Sequence, residues 1–226
     1  MKLKYLLRLF SIRFVKFLFF KAPIWRYFLP VMKFDMTIGQ LNFMLETINK
    51  IKSDGIICEI GVGGGSTSII LNHANKNVNN PRSFYAIDTF YGFLDEDRKY
   101  EQQKRNKNYD YLSYRSNSKE WYTKTLIAHG IKNANIYKCD AKLFDFDKIP
   151  KIAFCLIDID LYLPTKKVLP KIYNNLVPGG VIVVDDCSPI QSKYDGAGEA
   201  YREFCKEIKH DEDIVLSKLG VIRKSL

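Results

Sequence analysis

Short apolar runs that end on an acid or on glycines recur through the middle of this chain, with helix-like stretches between most of them. Ile56-Ile57-Cys58-Glu59-Ile60 runs into Gly61-Val62-Gly63-Gly64-Gly65, and Ser83–Ile87 ends on Asp88. Residues 134–138 are followed by Asp140, 152–157 by Asp158, and 181–184 by Asp185-Asp186. Strands that are apolar on both faces are buried on both faces, as parallel strands are between layers of helix. The pattern therefore predicts an α/β fold: a doubly wound, mostly parallel seven-stranded sheet with helices on both faces, Rossmann-like. Residues 213–216 and 220–223 are joined too closely for a crossover and so are expected to close the sheet as an antiparallel pair.

The helices are expected between these runs. Ile38, Leu41, Met44, Leu45, Ile48 and Ile51 recur at three and four and stop at Asp54-Gly55. Further helices are expected from Ser66 or Thr67 to about His73, and over 119–129, 165–176 and 196–208. Residues 89–118 carry many Tyr, Lys and Asn without clear periodicity. They suit either a solvated loop or a lid whose Tyr91, Tyr109, Tyr111 and Tyr114 stack on a ligand ring. The domain reading is a segment 1–34 followed by one domain, 35–226.

The charge is concentrated in that first segment. Residues 1–33 hold Lys2, Lys4, Arg8, Arg13, Lys16, Lys21, Arg26 and Lys33 with no acid before Asp35, so they carry +8 of the net +10. A nucleic-acid binder spreads basic residues over its folded domain, so no nucleic-acid partner is expected. The segment, rich in Phe and Leu, is expected either to touch an anionic membrane surface or to pack as a helical cover on the domain or on a second copy in a homo-oligomer. No run of apolar residues is long enough for a confident membrane span. Five cysteines with no CxxC pair, several in apolar runs, point to free thiols and a cytoplasmic location, with the inner membrane face as its variant.

Ligands of such sheets bind beyond the carboxyl ends of the strands. The glycine turn after Glu59 allows close backbone approach, but it lacks both the strict dinucleotide spacing and the Gly-Lys of a phosphate loop. Asp88 ends the second strand, where a carboxylate accepts from ribose hydroxyls. Asp140 ends the third, placed either for an adenine edge or as a helix N-cap. Together these ends point to an adenosine-containing cofactor, with NAD and S-adenosylmethionine both open at this level.

Asp158, Asp185 and Asp186 close adjacent strands and form an all-oxygen set suited to Mg²⁺ or another divalent cation. Without a cation such neighbours repel and at least one pKa rises. Their alternative reading is as helix caps, which suits Asp160 well. A nicotinamide-dependent reductase would leave these acids without a purpose, and a non-catalytic cofactor-binding scaffold would need no metal.

Glu59-Ile60-Gly61-Val62, Ile87-Asp88-Thr89-Phe90-Tyr91-Gly92, Ile157-Asp158-Ile159-Asp160-Leu161-Tyr162, Val177-Pro178-Gly179-Gly180-Val181-Ile182 and Asp185-Asp186 resemble the macrocin O-methyltransferase (TylF-like) family, over about residues 35–210. The resemblance implies a class I methyltransferase fold, S-adenosylmethionine as donor, and metal-dependent methylation of a hydroxyl, on a small molecule or a glycan and often on a sugar. It places Glu59, Gly61, Gly63, Ser66, Thr67, Asp88, Thr89, Phe90, Asp140 and Ala141 at the cofactor and Asp158, Asp185 and Asp186 at the metal. Asp158 or Asp160 is then the base. The chain departs from the family at Gly63-Gly64, where members often carry a bulky residue and Arg.

Overall fold

The computed structural model describes residues 3–21, 36–76, 80–190 and 193–225. In chain order the elements are α1 (Leu3–Lys21), α2 (Ile38–Lys50), β1 (Ile56–Ile60), α3 (Ser66–Lys76), β2 (Phe84–Asp88), α4 (Asp95–Lys104), α5 (Lys119–Ala128), β3 (Asn135–Lys138), β4 (Ile152–Ile157), α6 (Tyr162–Asn175), β5 (Leu176–Val184), α7 (Asp195–Glu207), β6 (Asp213–Val215) and β7 (Leu219–Arg223). The seven strands form one sheet in the order β3-β2-β1-β4-β5-β7-β6. The first five are parallel; β7 runs antiparallel to both β5 and β6. Strand order reverses between β1 and β4, which is where such a sheet opens a crevice.

Strand parity decides which helices each residue meets. Ile57, Phe154, Leu156, Val181 and Val183 point to one face and pack with Met44 and Ile48 of α2, Leu71 of α3 and Leu126 of α5. Ile56, Cys58, Cys155, Ile157, Ile182 and Val184 point to the other, against Val168 and Ile172 of α6 and Tyr201 and Phe204 of α7. A one-residue slip would move every β4 side chain to the opposite layer, so the register is strongly specified. Thr37 caps α2 with a reciprocal capping box: its Oγ1 accepts from Gln40 N at 3.2 Å and its N–H reaches Gln40 Oε1 at 2.8 Å.

Several expectations are corrected. The stretch 89–118 contains a full helix, α4, and Tyr111 is buried with its hydroxyl donating to Lys193 O at 3.0 Å, so it does not stack on a ligand. Strand β5 begins at Leu176 rather than 181 and carries Pro178-Gly179-Gly180 within it. Helix α6 begins at Tyr162 rather than 165, and α3 runs past His73 to Lys76.

Helix α4 is fastened by buried charge. Glu101 Oε1 accepts the Tyr162 N–H at 2.7 Å, capping α6, whose own N-cap Leu161 has no side-chain acceptor. Arg105 pairs with Glu101, with Asp195 Oδ1 at 3.2 Å and with Glu199 Oε2 at 2.5 Å, tying α4 to α7. Buried Lys142 pairs with buried Asp97 and lies 3.6 Å from Asp140 Oδ2, tying α4 to the turn after β3. Helix α1 touches the domain through Arg13, which donates to Arg115 O at 2.8 Å, and Lys16, which meets Ser116 Oγ at 3.5 Å and stands over the Trp121 ring. No helix among the described residues is long and apolar enough to cross a membrane.

Candidate active site

The carboxyl ends of β1, β2, β4 and β5 and the turn after β3 open into one cleft of about 1090 Å³, solvent at its mouth included. Glu59, Gly61, Gly63, Ser66, Thr67, Asp88, Thr89, Asp140 and Ala141 line it from one side, and Asp158, Asp160 and Asp185 from the other. Phe93, Leu94, Asp97 and Tyr114 close it from the α4 region, and Met36 and Pro164 also reach it. The sequence motifs left Phe93, Leu94 and Asp97 out. Their signal was weak, because they sit in the stretch without apolar periodicity.

The turn after β1 is held by contacts that only glycine allows. Gly61 has φ +82°, and an added Cβ would sit 1.8 Å from the Asp158 carbonyl oxygen. That close approach lets Gly61 N bond to Ile87 O at 3.0 Å while Asp158 N bonds to Ile60 O at 2.8 Å, so three strand ends converge. Asp88 braces the turn: its Oδ2 accepts from Val62 N at 2.8 Å and its Oδ1 from Phe90 N at 2.5 Å. Burial pushes the Asp88 carboxyl up, and the backbone N–H groups around it oppose that shift.

Glu59 is buried beneath this turn. Its Oε2 accepts from Ser68 Oγ at 2.5 Å, and Tyr122 Oη donates to Ser68 Oγ at 2.9 Å. Burial, opposed by that hydrogen bond, pushes Glu59 up to about 8. Asp140 does not start a helix; its Oδ1 accepts the Lys142 N–H at 2.9 Å within a turn. Phe90 stands apart from the other cofactor candidates, since its ring is 2% exposed and packs on Tyr122 in the core, leaving only its backbone near Asp88.

The opposite wall is a cluster of acids. Asp160, Asp185 and Asp186 are buried; Asp158 lines the cleft beside them. Burial and mutual repulsion push Asp158 and Asp160 well above the carboxylate range, and burial pushes Asp185 up as well. Asp186 and Asp185 add the repulsion that raises Asp160 beyond its burial, and Asp160 and Asp186 both have positive φ, at +61° and +58°. Asp160 therefore belongs to the cluster and is not the cap of α6. Lys218, at the β6–β7 turn, places Nζ 2.7 Å from Asp185 Oδ2 and 3.4 Å from Asp186 Oδ1. Asp186 itself lies behind the cleft wall.

The cluster fits a hard cation in kind. Its donors are all carboxylate oxygens, and Asp185 Oδ1 is buried without a hydrogen bond among the described residues. Among the described residues, however, no three His, Cys, Asp or Glu side chains are arranged as a ready coordination set. None of the three histidines lines the cleft.

The family model of macrocin O-methyltransferase (TylF) matches residues 29–218. Among solved structures, the O-methyltransferase NovP superimposes with a TM-score of 0.65 at 17% identity, covering 84% of this chain and 81% of that one. CalS11, a calicheamicin methyltransferase, gives 0.63 at 19% identity over 94% and 91%. The apo structure of CalS11, there described as a TDP-rhamnose 3'-O-methyltransferase, gives 0.57 at 18% over 94% and 93%. No curated protein matches the chain.

Proposed function

The chain belongs to the macrocin O-methyltransferase family and is an S-adenosylmethionine-dependent O-methyltransferase; we propose that its acceptor is a hydroxyl on a sugar of a glycan or a glycosylated natural product, and that a divalent cation assists. The observation that carries this reading is one cleft with a braced glycine turn on one wall and an acid cluster on the other. One structural neighbour, CalS11, is described as a TDP-rhamnose 3'-O-methyltransferase, which supports a sugar. The five free cysteines, four of them buried, support a reducing, cytoplasmic setting.

In this reading the donor's adenosine end lies over the Gly61–Gly65 turn, with Asp88 on the ribose hydroxyls and the Asp140–Ala141 turn beside the base. Ser66 and Thr67 open α3 toward the methionine end, where the helix N-terminus favours its carboxylate. Gly63 and Gly64 leave that end open, since a Cβ on Gly64 would meet nothing within 4 Å. Bound there, S-adenosylmethionine supplies an electrophilic methyl on a sulfonium. Asp158 and Asp185, the two of these acids that line the cleft, would hold the cation with Asp186 adding charge beside them, and the cation would lower the acceptor hydroxyl pKa.

The chain's own part is to orient the acceptor and take its proton. Asp158, whose backbone meets the glycine turn at Gly61, is taken as the base ahead of Asp160. Phe93 and Tyr114 at the mouth exclude water and offer ring faces to a sugar. Calorimetric titration with S-adenosylhomocysteine, with and without Mg²⁺, tests the donor site. Labelled-methyl transfer to a panel of nucleotide sugars tests the acceptor. Micromolar binding with transfer to a sugar supports the reading; binding with transfer only to non-sugar hydroxyls overturns the acceptor class.

A further inference from the structure

Helix α1 carries an apolar face that nothing in the described structure covers. Leu3, Leu7, Phe10, Phe14, Phe17 and Leu18 recur at three and four and fall within roughly one third of the circumference at about 3.6 residues per turn. Each is 48–72% exposed. The helix meets the domain on a different side, through Arg13 and Lys16. Lys4 and Arg8 flank the apolar face along its other edge and are exposed. The helix sequence contains five basic residues and no acid.

We propose that α1 is an interfacial helix that docks the enzyme on an anionic phospholipid bilayer. Its Phe and Leu side chains enter the headgroup boundary, and its basic residues meet lipid phosphates. The charge selects this occupant. Two copies of an acid-free helix laid face to face would bring like charges together, whereas an anionic surface complements them. The charge also explains why the helix lies on the membrane instead of crossing it. The domain side of α1 grips residues 115–121, next to Tyr114 at the cleft mouth, so docking holds that mouth beside the bilayer.

The test is sedimentation of the full chain with phosphatidylcholine vesicles, with and without phosphatidylglycerol. Binding is expected only with the anionic lipid and is expected to weaken as salt rises. Phe10→Ser/Phe14→Ser and, separately, Lys4→Glu/Arg8→Glu are each expected to weaken it by tenfold or more. Both pairs of sites are solvent-exposed, and an unchanged thermal unfolding transition shows that the domain is intact. Absence of binding to anionic vesicles overturns the proposal, as does binding that survives the Phe10→Ser/Phe14→Ser change. A wild-type dimer that the same change dissociates, without vesicle binding, assigns the face to a second copy instead. None of these readouts depends on methyl transfer, so failure here leaves the catalytic reading standing.

Discussion

Asp88 Oδ2 accepts the Val62 N–H at 2.8 Å, so the carboxylate closing β2 is braced against the glycine turn that closes β1. The acid proposed to meet a ribose is thus also a structural clamp on the turn beneath it. Asp88→Ala is expected to weaken S-adenosylhomocysteine binding by tenfold or more and to cost about 1–3 kcal/mol of stability, because Val62 N loses its acceptor. Calorimetry and urea unfolding separate the two effects. Unchanged affinity in the variant would remove Asp88 from the cofactor site.

Gly61 is irreplaceable for a different reason. Any Cβ there strikes the Asp158 carbonyl, and φ +82° is strained for an L residue. Gly61→Ala is expected to cost about 3 kcal/mol or more, read as a shift of the urea midpoint. A variant as stable as wild type would mean that the β1 and β4 ends do not approach as closely as described.

The sheet was legible because β1, β4 and β5 read as short, nearly continuous apolar runs, the pattern of strands covered by helices on both faces. The cleft acids were legible for the same reason, as each breaks an apolar run at its carboxyl end. Helix α4 escaped because its buried face is made of charge. Asp97 and Glu101 point inward to Lys142 and Arg105, a pattern to which apolar periodicity is blind. Asp160 looked like a cap because its neighbour Asp186 lies one strand away, a proximity that only the fold creates.

Glu101 makes α4 testable. It caps α6 and pairs with Arg105, both from a buried position. Glu101→Ala leaves the Tyr162 N–H without its acceptor and takes one of three carboxylates from Arg105, which keeps Asp195 and Glu199, and is expected to cost about 1–3 kcal/mol. Glu101→Met/Arg105→Met, which removes both charges, is expected to recover part of that loss. Urea unfolding of wild type and the two variants checks this, and a double variant less stable than Glu101→Ala would rule out the pairing as the cause.

Glu59 gives a pH dependence with a definite sign. Its folded pKa of about 8 lies above the ordinary value of 4.5, so the unfolded chain ionises first. Between those two values the folded state binds more protons than the unfolded state, and stability falls as pH rises. The contribution is fully present below pH 4.5 and lost through about pH 8. In ligand-free protein, Glu59→Gln is expected to flatten that decline, by an amount on the order of 5 kcal/mol at most. Unfolding curves across this range check it; identical slopes in wild type and variant would place Glu59 in contact with water.

Asp158 and Asp160 are separable by their neighbours. Both line the cleft, but Asp158 meets the glycine turn through the Gly61 contact, whereas Asp160 is buried among the other acids. If Asp158 takes the acceptor proton, Asp158→Asn lowers the methyl-transfer rate by about 10²–10⁴ while S-adenosylhomocysteine affinity stays within about threefold. Asp160→Asn is expected to cost less than tenfold in rate, since it alters the cluster's charge without removing the base. Single-turnover transfer with labelled donor, set against calorimetric affinity for each variant, distinguishes them. A larger rate loss in Asp160→Asn would reverse the assignment, and equal losses with unchanged affinity would mean that the two carboxyls share the proton.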